Sequence, residues 1–591
     1  MTTPIQGGSF LLSPVGASDV FIPEELSPEL LQLRATSHDF IEGEILPRDA
    51  EIESKTPGTM PTLMKKAGEL GLLMVEIPET YGGLGLGKIA ATVVAEGIAG
   101  QGAFMVAVMA HTGIATLPVL HYGNEEQRKK YLPKLATGEM LGAYALTEAN
   151  AGSDALAART KAVLTADGKH YILNGEKMFI TNGGFADLFT VFAKVDGEKF
   201  SAFLVERTMQ GVSHGPEEKK LGIHGSSTVP LILQDAKVPV ENLLGEVGKG
   251  HKIAFNTLNV GRWKLGAATS GSCKRLIQIV VKYVKERQQF GRAIADFELT
   301  QQKIAEMAIS AFLVESIVYR YAGDLDTGYR TIDFNTPDAY RQCTTITEEL
   351  AIDASIAKVF CSEALSAMSD EAVQLFGGYG YLQDYWPERY YRDNRINRIY
   401  EGTNEINRLL IPGTIMKRMA KGGPDFFGEV SRILDGLREG FAHVDPAAPL
   451  AIWQDQINQL KKLVVYIGGV AVNTYGPAIQ ERQLVMAHIA DLAIAAYVAD
   501  SAMSRVLKLL KSDPAHAQIP ALMVECYLAR QLPLLKVSAR QALADIAEGN
   551  AEKFKPFYRA TKRFLQYVPY DLRANREKIA LAIYRTGEYA W

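Results

Sequence analysis

Lysine and arginine are absent before Arg34. The amino terminus therefore lacks both the positive n-region of a secretory signal and the Arg-rich face of a mitochondrial transit peptide, and a cytoplasmic protein is expected. Cysteine is scarce: Cys273, Cys343, Cys361 and Cys526 stand too far apart for a disulfide framework or a paired-thiolate metal site. The histidines are dispersed without a His-Glu-x-x-His pattern, so no metal is expected. No uninterrupted apolar run approaches the ~20 residues that span a bilayer; the nearest, Leu463 to Val472, is broken by Gly468 and Gly469. A net charge of −4 provides no basic surplus for nucleic acid. Strand patterns do not alternate with helical ones, which excludes a doubly wound nucleotide-binding sheet.

What is present is a long chain with two changes of texture. At 591 residues it is about four average domains long. Residues 1–26 hold Thr, Pro, Gly and Ser without a sustained period and read as a mobile or docked tail. Apolar residues recur at helical spacing over 27–137, through Leu30, Leu33, Phe40, Leu63, Ala67 and Leu70, then 89–99 and 107–121. Over 138–250 the runs LGAYALTE, KHYILNGEKMFITN, LFTVFAKV and KFSAFLVE are short, β-branched and aromatic, with Gly, Asp and Asn turns between them. Helical periods return over 251–421 and persist over 422–591. A mainly α protein with a small central β domain is expected.

The stretch richest in chemistry runs from Gln374 to Arg408. Gly377 and Gly378 leave backbone open to close approach. Further on, Glu401 precedes Gly402 and Thr403 after a run of aromatic and arginine residues, so it can serve as a positioned base in a partly dry cleft. The plainer reading makes Thr403 the N-cap of the helix through Ile406, Leu409 and Leu410. In the β region, YALTEANAGSD presents Tyr144, Thr147, Gly152 and Ser153 at a turn-rich strand end. Hydroxyls and bare N–H groups there suit a polar ring edge and a pyrophosphate.

These motifs, with FITNGG, RQQFG and LNVGRW in order, resemble the acyl-CoA dehydrogenase family from about residue 30 to about residue 415. The resemblance implies an amino-terminal helical domain, a middle β-barrel-like domain and a four-helix bundle. It implies FAD as cofactor, an acyl-CoA substrate and Glu401 as the base that removes the α-proton. The implied cofactor residues are Tyr144, Leu146, Thr147, Gly152, Ser153, Phe179, Thr181, Gln374, Gly377, Gly378, Thr403 and Glu405, with Arg287 and Phe290 reaching the FAD of a neighbouring subunit. Ser153, Arg262, Gly97 and Gly402 are the implied substrate residues. Family members carry Thr-Glu-Pro where this chain has Ala149 and Asn150, which changes loop stiffness without removing a donor. One branch places its base on an earlier helix, at the site here held by Gly261, so no second carboxylate competes with Glu401. In VAEGIAG, Gly97 stands where relatives block the acyl pocket, which implies medium-to-long chains; the alternative is a helix-packing glycine.

The region after about 422 resembles the helical extension of the very-long-chain branch. Leu484, His488, Leu492, Ala495, Ala499, Met503, Val506 and Leu510 recur at helical spacing. Such a domain can cover the face that a second dimer covers in tetrameric relatives, so a homodimer is expected. QLKKLVVYIGGVAVNTYG is either core or a weak peripheral membrane contact. The expected electron acceptor is an electron-transferring flavoprotein. An acyl-CoA oxidase using dioxygen, a non-catalytic assembly protein and a nucleic-acid-binding offshoot are the alternatives.

Overall fold

The computed structural model describes residues 6–419 and 421–591. The first five positions of the expected tail lie outside the described residues.

The amino-terminal domain is built from α1 (Pro28–Phe40), α2 (Asp49–Glu53), α3 (Thr59–Glu69), α4 (Gly87–Gly97), α5 (Gly102–Met109), α6 (Thr116–Tyr122) and α7 (Glu125–Thr137). Local chemistry sets its boundaries. Ser27 accepts from the Leu30 N–H ahead of Pro28 at the first helical position, and Asn124 and Gln127 cap α7 reciprocally at 2.8 and 3.0 Å. Between α5 and α6 the segment Ala110–Ala115 is a π-helical turn.

The middle domain is one sheet of β1 (Gly142–Ala145), β2 (Lys161–Leu164), β3 (His170–Thr181), β4 (Leu188–Val195), β5 (Lys199–Glu206), β6 (Val212–His214), β7 (Thr228–Pro239) and β8 (Leu243–Leu244). The order is β6-β7-β3-β2-β4-β5-β8, with β1 parallel to β4. Strand β3 pairs antiparallel with β7 and is interrupted between Lys177 and Ile180 by a bulge.

Helices α8 (Gly250–Glu286), α9 (Glu298–Tyr329), α10 (Ala339–Glu349), α11 (Ala351–Phe376), α12 (Trp386–Asn394) and α13 (Asn404–Met419) form the bundle. The extension follows as α14 (Phe426–Glu439), α15 (Ala451–Tyr475), α16 (Gln483–Ser512), α17 (Gln518–Ile546), α18 (Ala551–Thr561) and α19 (Leu572–Thr586). Its α16 and α19 lie along α9, and buried ion pairs tie the domains: Arg320 to Asp500 at 2.6 Å, Lys461 to the same carboxylate, and Arg505 to Glu315 at 2.8 Å. The described part of the amino-terminal tail is docked on this extension. Phe10 meets Tyr497 edge-on at 4.9 Å, the Val15 N–H donates to Asn458, and Glu24 pairs with Arg505 at 2.6 Å.

The helical stretches Gly102–Tyr122 and Gln483–Ser512 are each long and apolar enough to cross a bilayer, although neither is an uninterrupted apolar run; 83% and 78% of their most apolar windows are buried against other elements. Pro533 lies inside a continuous α17. In QLKKLVVYIGG, the residues Leu460, Lys461, Leu463, Val464 and Ile467 are buried, so α15 takes the core reading.

Candidate active site

Glu401 sits on a turn that backbone sterics disfavour. Its φ is +58° and that of Gly402 is +78°, a region in which a non-glycine residue is held only by its surroundings. Asn407 Nδ2 supplies that restraint, donating to the carbonyls of Gly402 at 2.8 Å and Thr403 at 3.0 Å. Thr403 Oγ1 accepts from the Ile406 N–H at 3.3 Å. The capping reading and the base reading thus describe the same turn.

The turn drives the Glu401 side chain against α8 at Gly261, where a β-carbon would fall 2.3 Å from Oε2. Oε2 is buried and has no hydrogen-bond partner among the described residues. Burial raises the carboxyl pKa while the nearby Arg262 and Lys358 charges lower it, and it settles at about 7. Arg262 does not pair with a carboxylate, as buried charges ordinarily do. Its Nε donates to the Glu401 carbonyl at 3.1 Å and its Nη1 to Asn259 Oδ1 at 2.6 Å, and burial brings its pKa down to about 10. Lys358 of α11 donates to Asn404 Oδ1 at 2.6 Å, with burial lowering its pKa to about 7. Sequence reasoning missed Lys358. Its signal is a lysine within the apolar run Ile356 to Phe360.

The middle domain brings a second set of residues to the same place. Tyr144 donates to the Ala254 carbonyl of α8 at 3.3 Å, and burial, then the neighbouring Glu401, push its phenol well above the usual range. Thr147 O accepts from the Met178 N–H at 2.8 Å, which sets the YALTE and FIT segments side by side. Glu148 anchors the loop after β1 through Lys177 at 2.7 Å, the Arg159 N–H and Thr160. Reciprocal backbone bonds between Glu148 and Ala151 close the Ala149–Asn150 turn without a proline. Beyond it, Gly152 faces open space and Ser153 is exposed. The bulge in β3 turns Phe179 outward at φ +60° with 61% of its surface exposed, and Thr181 ends the strand opposite Thr228. Leu146 is buried and offers only backbone. An exposed aromatic ring beside two threonines and a bare glycine fits a flat, polar-edged ring system such as the isoalloxazine of FAD.

Other residues lie elsewhere. Arg287, Phe290, Gln374, Gly377 and Gly378 gather at the far ends of α8 and α11, where Tyr283 stacks on Phe376 at 3.9 Å and the Arg287 guanidinium lies 5.8 Å from the Tyr379 ring. From Gly261 to the end of α8 is roughly 37 Å at ~1.5 Å per residue. Phe290 there is 94% exposed, and Gly377 and Gly378 face open space. Glu405 is exposed on the first turn of α13. Gly97 requires a correction: a β-carbon there would strike Ser37 of α1 at 2.5 Å, so this glycine serves the packing of α4 on α1.

Matches to known proteins follow this layout. The chain matches the acyl-CoA dehydrogenase N-terminal domain over residues 27–139, the middle domain over 143–236 and the C-terminal domain over 248–416; a further acyl-CoA dehydrogenase C-terminal domain matches residues 459–557. It is 42% identical to a probable acyl-CoA dehydrogenase of Bacillus subtilis (strain 168) over 585 residues, covering 99% of this chain and 98% of that one. It is also 42% identical to the mitochondrial very long-chain specific acyl-CoA dehydrogenase of Mus musculus over 354 residues, 58% of this chain and 51% of the other. The crystal structure of an acyl-CoA dehydrogenase from Bacillus anthracis complexed with FAD superposes with a TM-score of 0.97 at 42% identity, over 99% of this chain and 100% of that one. The chain belongs to the acyl-CoA dehydrogenase family, oxidoreductases that work with FAD.

Proposed function

We propose that the protein dehydrogenates fatty acyl-CoA thioesters of medium to long chain to trans-2-enoyl-CoA, with Glu401 as the base. The observation that carries this reading is the buried, unpartnered Oε2 of Glu401 against the bare backbone of Gly261. A carboxylate desolvated to a pKa of about 7 is a competent acceptor for the weakly acidic α-proton near neutral pH. Arg262 and Asn407 hold the peptide of Glu401, so the side chain keeps its aim during proton transfer. Phe179, Thr147 and Thr181 would hold the flavin ring, which supplies the two-electron acceptor for the β-hydrogen. In this reading the product feeds fatty acid β-oxidation, electrons leave to an electron-transferring flavoprotein, and the working unit is a homodimer in which the partner's Arg287 and the partner's Phe290 complete each cofactor site.

Glu401→Gln tests the base. The amide keeps size and hydrogen bonding, so acyl-CoA binding and FAD content should persist. Anaerobic bleaching of the flavin should slow by about three orders of magnitude, within the general-base range. Bleaching at the wild-type rate would place the base elsewhere.

A further inference from the structure

The acyl tail must lie somewhere, and α8 gives it a direction. The middle domain meets α8 near its amino-terminal end, through Tyr144 and Ala254. A thioester entering from that side and presenting its α-carbon to Glu401 beside Gly261 therefore sends its tail towards the carboxy-terminal part of α8. One turn on, on the same helix face, is Lys264.

Lys264 is a buried cation in apolar surroundings. Its Nζ donates to Thr112 Oγ1 in the π-helical turn at 3.1 Å and pairs with Glu76, which also pairs with Lys88. The three side chains are 5%, 7% and 4% exposed. The Lys264 shaft lies across Gly113, where a β-carbon would sit 3.0 Å from Cδ. Lys88 in turn lies over the rings of Trp263 and Tyr329 at 5.5 and 5.4 Å. A cavity of about 20 Å³ whose lining includes Val94, Ile98 and Met109 together with Glu76 and Lys264 remains beside the cluster. Hydrocarbon gains nothing by displacing hydrogen-bonded charge, so a tail that reaches this cluster stops there.

Resting on the dehydrogenase reading above, we infer that Lys264, locked to Glu76 and Thr112, is the floor of the acyl slot and sets the longest tail the enzyme accommodates. Lys264→Met is the informative variant. It replaces the cation with an unbranched apolar chain and leaves Glu76 paired with Lys88, so no lone charge is stranded. Thr112→Val, which removes only the hydroxyl anchor, is the milder companion.

The experiment is calorimetric binding of S-alkyl-CoA thioethers, from butyl to hexadecyl, to the FAD-loaded protein, paired with kcat/KM for the matching acyl-CoA series. In the wild type, affinity should rise about fourfold per methylene and then stop rising at one length. In Lys264→Met the rise should continue by about two methylenes, a gain of about fifteenfold at the longer lengths, with short chains unchanged. Thr112→Val should show a smaller shift in the same direction. The same break point in all three proteins would overturn the inference and leave the dehydrogenase reading standing. Failure of any thioether to bind the wild type would instead strike at that reading.

Discussion

The carboxylate of Glu401 rests on the backbone of Gly261, with no room for even one added carbon between them. Gly261→Ala should therefore push the base out of line without touching its charge. A displacement of about 1 Å costs on the order of a hundredfold in rate. FAD content should stay at the wild-type level, since Gly261 touches none of the residues around Phe179. Full activity in Gly261→Ala would mean that the carboxylate is not held in this position during turnover.

Lys358 contributes to the pH at which this base works. Burial raises Glu401 while Arg262 and Lys358 oppose it, to about 7. Removing one nearby positive charge favours the protonated form, so Lys358→Met should move the acid limb of the rate profile to higher pH by roughly one unit. Because Lys358 itself sits at about 7 through burial, the limb reports the coupled pair. A profile that falls in height without moving along the pH axis would assign Lys358 only to holding Asn404.

Much of this layout was legible in the chain. The two changes of texture mark the domains because strand and helix periods differ, and Glu401 stands out through the order of the motifs around it rather than through EGTNE alone. What was not legible depended on pairings across distance. The resemblance of VAEGIAG points Gly97 to the pocket floor, but a motif does not say which helix abuts it, and that helix is α1, through Ser37, as the packing alternative has it. Lys264 and Glu76 are far apart in sequence and show their meaning only once paired. The QLFGG and EGTNE motifs read as one stretch, yet α11 carries the first to the end of the bundle away from Glu401. Phe179 is placed at the cofactor by the resemblance alone, since nothing local announces the bulge that turns it outward.

The interface with the extension carries its own pH dependence. Asp353 is buried, its Oδ2 lacks a partner among the described residues, and burial followed by repulsion from Asp324 raises its pKa to about 7. A carboxyl whose folded pKa is raised binds its proton more tightly in the native state. Stability is then lost as pH climbs from the unfolded value of ~3.9 through about 7. Asp353→Asn should flatten that decline, melting higher than the wild type at pH above 7 and equally near pH 4. An unchanged difference across the range would show that Asp353 is ionised in the folded protein.

Asp500 presents the opposite case, since it neutralises two buried cations at once, Arg320 and Lys461. Asp500→Asn leaves Lys461 without a carboxylate and Arg320 with only Asp324 at 3.9 Å, a loss of about 3–5 kcal/mol for a broken buried pair. The extension should become protease-sensitive and release from α9 at lower urea. Unaltered unfolding would mean that apolar packing of α16 on α9 holds the extension alone.

The gap of roughly 37 Å along α8 between Gly261 and the Arg287 end makes the subunit arrangement testable without a structure of the assembly. If Arg287 serves the site of the other subunit, Arg287→Ala and Glu401→Gln proteins are each inactive, but co-expressed chains form mixed dimers. In a mixed dimer, the chain that keeps Glu401 faces a partner that keeps Arg287, so one of its two sites is complete. Random pairing puts half the chains' dimers in this class, and about a quarter of all sites should regain wild-type activity. Light scattering of the same sample should give a mass near twice the 64.7 kDa chain. An inactive mixture of verified mixed dimers would place Arg287 in service of its own chain.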